Sequence, residues 1–151
     1  MKIIFVIHIL TTFFSFGIAL FLQALHFPLI KYIGPYQYPV YFEKQKMKLT
    51  LLTFPVYSLE IFTSVVLMLT FFTTGEMTEA KQNSFFVYLS TIIILLLIHL
   101  ITFYFIKPNL KKLVNKWEEK VLKELVAWNF GRTLLWLVRI IILMVIIIRP
   151  S

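Results

Sequence analysis

The sequence predicts an all-α integral membrane four-helix bundle with an amphipathic interfacial helix before the last span, on three observations. Hydrophobic residues make up 60% of the chain and aromatic residues 17%, at a mean hydropathy of +0.86, which is more apolar surface than a soluble domain of this size could hide. Of four apolar stretches, about 3–25, 49–72, 85–106 and 133–148, the first three reach the roughly 20 residues that a helix needs to cross the hydrocarbon core, and the fourth is short. Between the third and fourth, over about 109–128, apolar and charged residues alternate at helical spacing. Residues 1–151 are expected to form a single four-span membrane domain, with no separate soluble unit.

The first span starts behind Lys2 and reads as a retained helix, because ALFLQALHF is a poor cleavage site for a signal peptide. His8, Thr12, Ser15, Ala19, Gln23 and His26 recur in steps of three and four, which places them on one stripe facing the other helices. His8, near one end, reads as a satisfied core or interface histidine. The connection HFPLIKYIGPYQYPVYFEKQKMK carries Pro28, Pro35 and Pro39, expected to break any long helix. Its tyrosines Tyr32, Tyr36, Tyr38 and Tyr41 suit the headgroup region, so the segment is expected to lie along the membrane surface.

In the second span Thr53, Tyr57, Glu60 and Ser64 share a face, and Pro55 is a candidate kink. TTGEMTEAKQN reads as a turn at the opposite surface. The third span places Tyr88, Thr91, His99 and Thr102 on a broad stripe, and Pro108 allows a new helix to start. That helix, with Leu110, Leu113, Val114, Trp117, Val121, Leu125 and Trp128 on one side, is expected at the interface. In the fourth span Trp128, Arg132, Trp136 and Arg139 form the stripe, with Gly131 leaving room for close backbone contact. Trp117, Trp128 and Trp136 read as interface anchors and packing groups.

Basic residues set the orientation. Lys31, Lys44, Lys46 and Lys48 in the first connection, with Lys107, Lys111, Lys112, Lys116, Lys120, Lys123 and Arg132 in the third, outnumber Lys2, Lys81 and Arg149 on the other side. By the positive-inside rule, loops one and three are cytoplasmic and both termini lie outside. The same placement explains the net charge of +8 by membrane topology and anionic lipid rather than nucleic acid, which is not an expected partner.

Several chemistries are excluded by composition. With no cysteine, thiolate catalysis, disulfide exchange and cysteine-ligated iron–sulfur clusters are out. All seven acids are glutamates, so membrane enzymes built on clustered aspartate and metal do not fit. No internal repeat supports an inverted-repeat transporter.

Arg139 organises what remains. A guanidinium within the bilayer costs roughly 2.5–3.5 kcal/mol on insertion scales, so it must face the bundle interior and find a partner. Glu60 is the one acid comparably deep in another apolar segment. Counted from the lysine-rich end at about 1.5 Å per residue, Glu60 lies about 16 Å deep, His99 about 11 Å and Arg139 about 10 Å, with Gln23 and His26 nearer the surface. Gln23, His26, Tyr57, Glu60, His99, Arg132, Trp136 and Arg139 are therefore the candidate binding residues of a cytoplasm-facing intramembrane site. A Glu60–Arg139 pair can also serve only to fix helix register. His26 and His99 are the pair available for a bis-histidine haem, and with Glu60 for a mixed metal site. Their unequal depths and the absence of paired histidine spacing argue against both, and no metal site is assigned.

The order QALHFPLIKYIG, YFEKQKMK, PVYSLE and WNFGRTLLWLVR resembles a widespread group of small four-helix bacterial membrane proteins of unknown function. The last stretch is also similar to the closing helix of the anthrone oxygenase-like domain. The resemblance covers most of the chain and implies matches at Gln23, His26, Pro28, Gly34, Tyr41, Glu60, Asn129, Arg132, Thr133, Trp136 and Arg139. It brings Asn129 into the binding set and places the chain in a bacterial inner membrane. Gln45 stands where the group's pattern has a histidine. The oxygenase likeness implies cofactor-free oxidation of a polycyclic phenol, as fold-level analogy.

Three functions follow. The first is a non-enzymatic membrane protein whose polar core binds a small apolar or amphiphilic ligand or a lipid headgroup, or couples to a partner. The second is a membrane oxidoreductase or oxygenase acting on an aromatic substrate. There His26 or His99 would be general base, Arg132 or Arg139 would stabilise an oxyanion, and the pocket would be about 300 Å³ or more. The third is a structural subunit that docks another membrane protein or a second copy of itself.

Overall fold

A computed structural model describes residues 2–30, 32–33, 36–73 and 79–148, and every regular element in it is helical. Lys31, Gly34, Pro35, residues 74–78 of the expected TTGEMTEAKQN turn and Arg149 lie outside the described residues, while residues 79–83 of that stretch are already helix rather than turn. The elements are α1 (Lys2–Phe21), a π-helical turn (Leu22–His26), α2 (Phe27–Ile30), α3 (Tyr38–Thr73), α4 (Glu79–Ile101), a second π-helical turn (Thr102–Ile106), α5 (Lys107–Asn115) and α6 (Glu119–Ile148). They amount to four long helices, each apolar and long enough to cross a membrane. Each packs on the next, and α6 returns to α1 to close a four-helix ring. The chain is thus a multi-pass membrane bundle.

The helices are longer than hydropathy alone indicated. The second begins at Tyr38 rather than near Leu49, so the region expected to lie on the membrane surface is largely helix. Pro39 falls in its first turn, where a missing N–H has no intrahelical acceptor to lose. Tyr38 is buried rather than at the headgroups: its hydroxyl donates to the Ile30 carbonyl at 2.9 Å, and its ring stacks on Trp117 at 3.5 Å. The fourth helix runs unbroken from Glu119, and α3 continues through Pro55. At 36 residues α3 is about 54 Å long, well beyond a hydrocarbon core of about 30 Å.

Pro28 and Pro108 do not stop or start helices as expected. Each follows directly on a π turn, closed by Phe27 N–H to the Leu22 carbonyl and Lys107 N–H to the Thr102 carbonyl. The wider turn takes up a ring that an α-turn would press against the carbonyl four residues back. The first and third helices therefore extend past their prolines, to Ile30 and Asn115.

The amphipathic stretch before the last span is present in two pieces. Lys116 is extended (φ −155°, ψ 135°) and breaks it, leaving one half on the third helix and the other on the fourth. Its apolar face is covered by protein: Leu113, Val121 and Leu125 are buried in one cluster with Phe42, Phe27 and Leu22. Each such side chain contributes about 1.5–3 kcal/mol, so the lysine-rich end has a core of its own. Above it lie a layer around Ala19, Leu95, Ile98 and Trp136, and a third cluster around Leu67, Tyr88 and Leu143 near the far end. Close helix approach occurs at fully buried Ala19, not at Gly131, where an added Cβ would meet nothing within 4 Å.

Candidate functional site: two polar networks and a cavity

The candidate residues separate into two networks with an aromatic layer between them. In the first, Glu60 and Arg139 meet directly, both fully buried. Thr12 and Ser15 of α1 donate to the two carboxylate oxygens at 2.8 and 3.1 Å. The other guanidinium nitrogen lies 3.3 Å from His8 Nε2 and 3.5 Å from Ser64 Oγ. His8 Nδ1 is 3.0 Å from Thr63 Oγ1, whose own hydrogen goes to the Glu60 carbonyl. Donor counting then fixes the tautomer. Thr63 must accept from Nδ1–H, which leaves Nε2 free to accept from Arg139.

This network lies deeper than the separate estimates for Glu60 and Arg139 placed it. Glu60 is about 20 Å from the far end of α3, and Arg139 about 14 Å from the far end of α6, so both are near midspan. The earlier depths were counted from span boundaries that cut α3 and α6 short. His8 is the satisfied core histidine the sequence suggested, here bonded to Thr63 and Arg139, and Thr12 and Ser15 complete the carboxylate's hydrogen bonds. Their stripe on α1 was the signal that they face the bundle.

Tyr57, His99 and Trp136 form the layer below. The Tyr57 ring meets His99 edge-on at 5.6 Å and lies parallel to Trp136 at 6.3 Å, while the Arg139 guanidinium sits 5.4 Å from the Trp136 ring. His99 Nδ1 bonds the Leu95 carbonyl at 2.8 Å. Its Nε2 and Trp136 Nε1 are buried without a partner among the described residues.

Toward the lysine-rich end the second network joins three helices. Asn129 donates to Gln23 at 2.8 Å and accepts from Arg132 at 2.6 Å, and Arg132 reaches Thr102 Oγ1 at 3.5 Å. Thr133 caps the Asn129 carbonyl at 2.8 Å. Both π turns serve this network, one carrying Gln23 and the other beginning at Thr102. Arg132 is 5% exposed, and its Nε, like that of Arg139, has no partner among the described residues. Among the described residues it has no carboxylate, the ion pairs being Glu60–Arg139 and the surface pair Glu119–Lys123.

Arg132 borders a cavity of about 540 Å³ between α1, α3 and the third helix. Thr53, Tyr57 and Thr102 line it beside Arg132, apolar walls come from Ile18, Leu22, Leu49 and Ile106, and Lys46, Lys107 and Lys111 stand toward the lysine-rich end. A neighbouring cavity of about 430 Å³ holds His26 and Tyr41 with Lys44 and Lys48, and shares Leu22, Gln45 and Leu49 with the first. His26 bonds Tyr41 Oη through Nδ1 at 3.2 Å and stacks on its ring.

Of the nine candidate residues, then, Gln23, Asn129 and Arg132 come together, as do Glu60 and Arg139, with Tyr57, His99 and Trp136 between. His26 stands apart. His26 and His99 share no contact partner, and Glu60 is occupied by Arg139, Thr12 and Ser15. The haem pair and the mixed metal set are not assembled, and no group of three or more potential ligands is gathered among the described residues. Neither histidine lines the larger cavity. Compared with known proteins, the chain matches no family model, no curated sequence and no solved structure.

Proposed function

We propose that this is a ligand-binding protein of a bacterial cell inner membrane, related to the small four-helix group it resembles. Loops one and three face the cytoplasm, and the cytoplasm-facing half of the bundle holds a small ligand or a lipid headgroup. One observation carries this reading: a buried guanidinium with only neutral partners borders an apolar-walled cavity. At about 540 Å³ the cavity lies within the range of about 300–1,000 Å³ typical of small-molecule sites. The Glu60–Arg139 network, neutralised by its own ion pair and away from the cavity, serves to lock the bundle.

The same volume would admit an aromatic substrate, but catalysis needs a base within reach of it. His26 and His99 are not on that wall, so binding is preferred to oxidation. Mass spectrometry of detergent-purified protein tests the reading. Wild type should carry a stoichiometric small molecule or lipid, and Thr53→Trp, which fills the cavity, should lose it. Equal content in both would contradict it. For orientation, single cysteines replacing Glu43 and Asn115 should label from the cytoplasm, and one replacing Gln82 from outside. Labelling of Glu43 and Gln82 positions from one side would break the topology.

A further inference from the structure

We infer that the ligand of the cavity beside Arg132 is an organic anion with an apolar body, its charged head held by Arg132. The inference rests on the proposed reading of the cavity as a ligand site and adds the charge and chemistry of the occupant. A buried cation without a counter-charge is costly, and the bundle meets that cost for Arg139 with Glu60. For Arg132 it supplies only an amide and a hydroxyl oxygen, with no carboxylate among the described residues; an unpartnered Nε is common to both arginines and does not distinguish them. A carboxylate or phosphate group in the cavity would supply the missing counter-charge to the guanidinium that borders it.

The surroundings agree in sign. Four cations and no acid line the cavity. Arg132, Thr102 and Tyr57 gather at its deep end. Lys107 follows Thr102 by about 8 Å of helix and Lys46 precedes Tyr57 by about 16 Å, so the lysines stand toward the cytoplasmic mouth. A like-signed entrance raises the local concentration of anions and draws them inward. Ile18, Leu22, Leu49 and Ile106 between the two ends give an apolar body its contact surface. A neutral lipid or an amine would leave Arg132 as it is or add repulsion.

A single-chain carboxylate and an anionic phospholipid share this chemistry. The test uses the full chain in phosphatidylcholine nanodiscs, titrated with dodecanoate, dodecanol and dodecylamine, then with phosphatidylglycerol as competitor. Dodecanoate should bind about tenfold or more tighter than dodecanol, the margin of a hydrogen bond to a charged group, and dodecylamine should bind weakest. Arg132→Gln should abolish the preference for carboxylate over alcohol, Arg132→Lys should keep most of it, and Thr53→Trp, which leaves the guanidinium untouched, should remove binding of all three probes. Displacement by phosphatidylglycerol assigns the anion to a lipid head, and its failure assigns it to a single-chain acid; both support the inference. Equal affinity for carboxylate and alcohol, or an unchanged preference in Arg132→Gln, overturns it while leaving a ligand site. No probe binding to wild type, or binding indifferent to Thr53→Trp, overturns the inference and the proposed function together.

Discussion

The two halves of the bundle treat a buried arginine in opposite ways. Near midspan Arg139 is paired with Glu60, and Thr12, Ser15, His8 and Ser64 bond the carboxylate oxygens and the second terminal guanidinium nitrogen, with Nε alone left unpartnered among the described residues. One helical stretch away on the same α6, Arg132 has neutral partners and faces a cavity. A charge neutralised within the protein, with no cavity beside it, holds helices in register, whereas an uncompensated one beside a cavity has both need of an anion and space for it. Burial of charge alone therefore does not mark a site. A missing counter-charge beside a cavity does.

The largest effect should come from breaking the closed network. Glu60→Gln or Arg139→Leu leaves an uncompensated charge and should lower stability by about 3–5 kcal/mol, with the double variant recovering much of the loss. Thermal unfolding in detergent with a double-mutant cycle reads this, and additive losses would uncouple the pair. Leu113→Ala should cost about 2–5 kcal/mol by leaving a void, because this residue of the amphipathic stretch is fully buried. A cost near zero would return that stretch to the membrane surface. His8→Leu should cost about 1–3 kcal/mol by stripping partners from Arg139 and Thr63.

Arg132→Gln sharpens the contrast. Removal of an unpaired buried cation relieves its desolvation, so stability should change by less than about 1 kcal/mol, or rise, even though a charged residue on the same helix has been lost. A loss as large as that of Arg139→Leu would make the two networks equivalent. The smallest effect is expected at Gly131→Ala, where nothing opposes a Cβ and helix propensity should add up to about 1 kcal/mol.

Hydropathy and helical spacing sufficed for four spans, for the polar stripes, and for the meeting of Glu60 with Arg139. Stripes repeat with the helix and so survive errors in boundaries. The boundaries themselves did not emerge, because hydropathy falls where Glu43, Lys44 and Lys46 begin although the backbone stays helical from Tyr38. The π turns were hidden for a related reason: Pro28 and Pro108 read as helix ends, and no residue period marks an i to i+5 bond. His8 read correctly as a satisfied core histidine, but its partners Thr63 and Arg139 lie on other helices and could not be named from its own spacing. The cavity beside Arg132 depends on how three helices diverge, which one-dimensional spacing does not encode.

The division between the two arginines is tested most directly by thermal unfolding with and without dodecanoate, in the Glu60→Gln/Arg139→Leu double variant and in Arg132→Gln. Saturation at about 100 times Kd stabilises a one-site protein by about 2.7 kcal/mol. The double variant should keep the full ligand-induced shift of the wild type, while Arg132→Gln keeps its starting stability and, at the same dodecanoate concentration, loses about 1.4 kcal/mol of the shift or more. A double variant that no longer responds to dodecanoate, beside an Arg132→Gln protein that responds in full, would place the site at Glu60 and Arg139 and contradict the account.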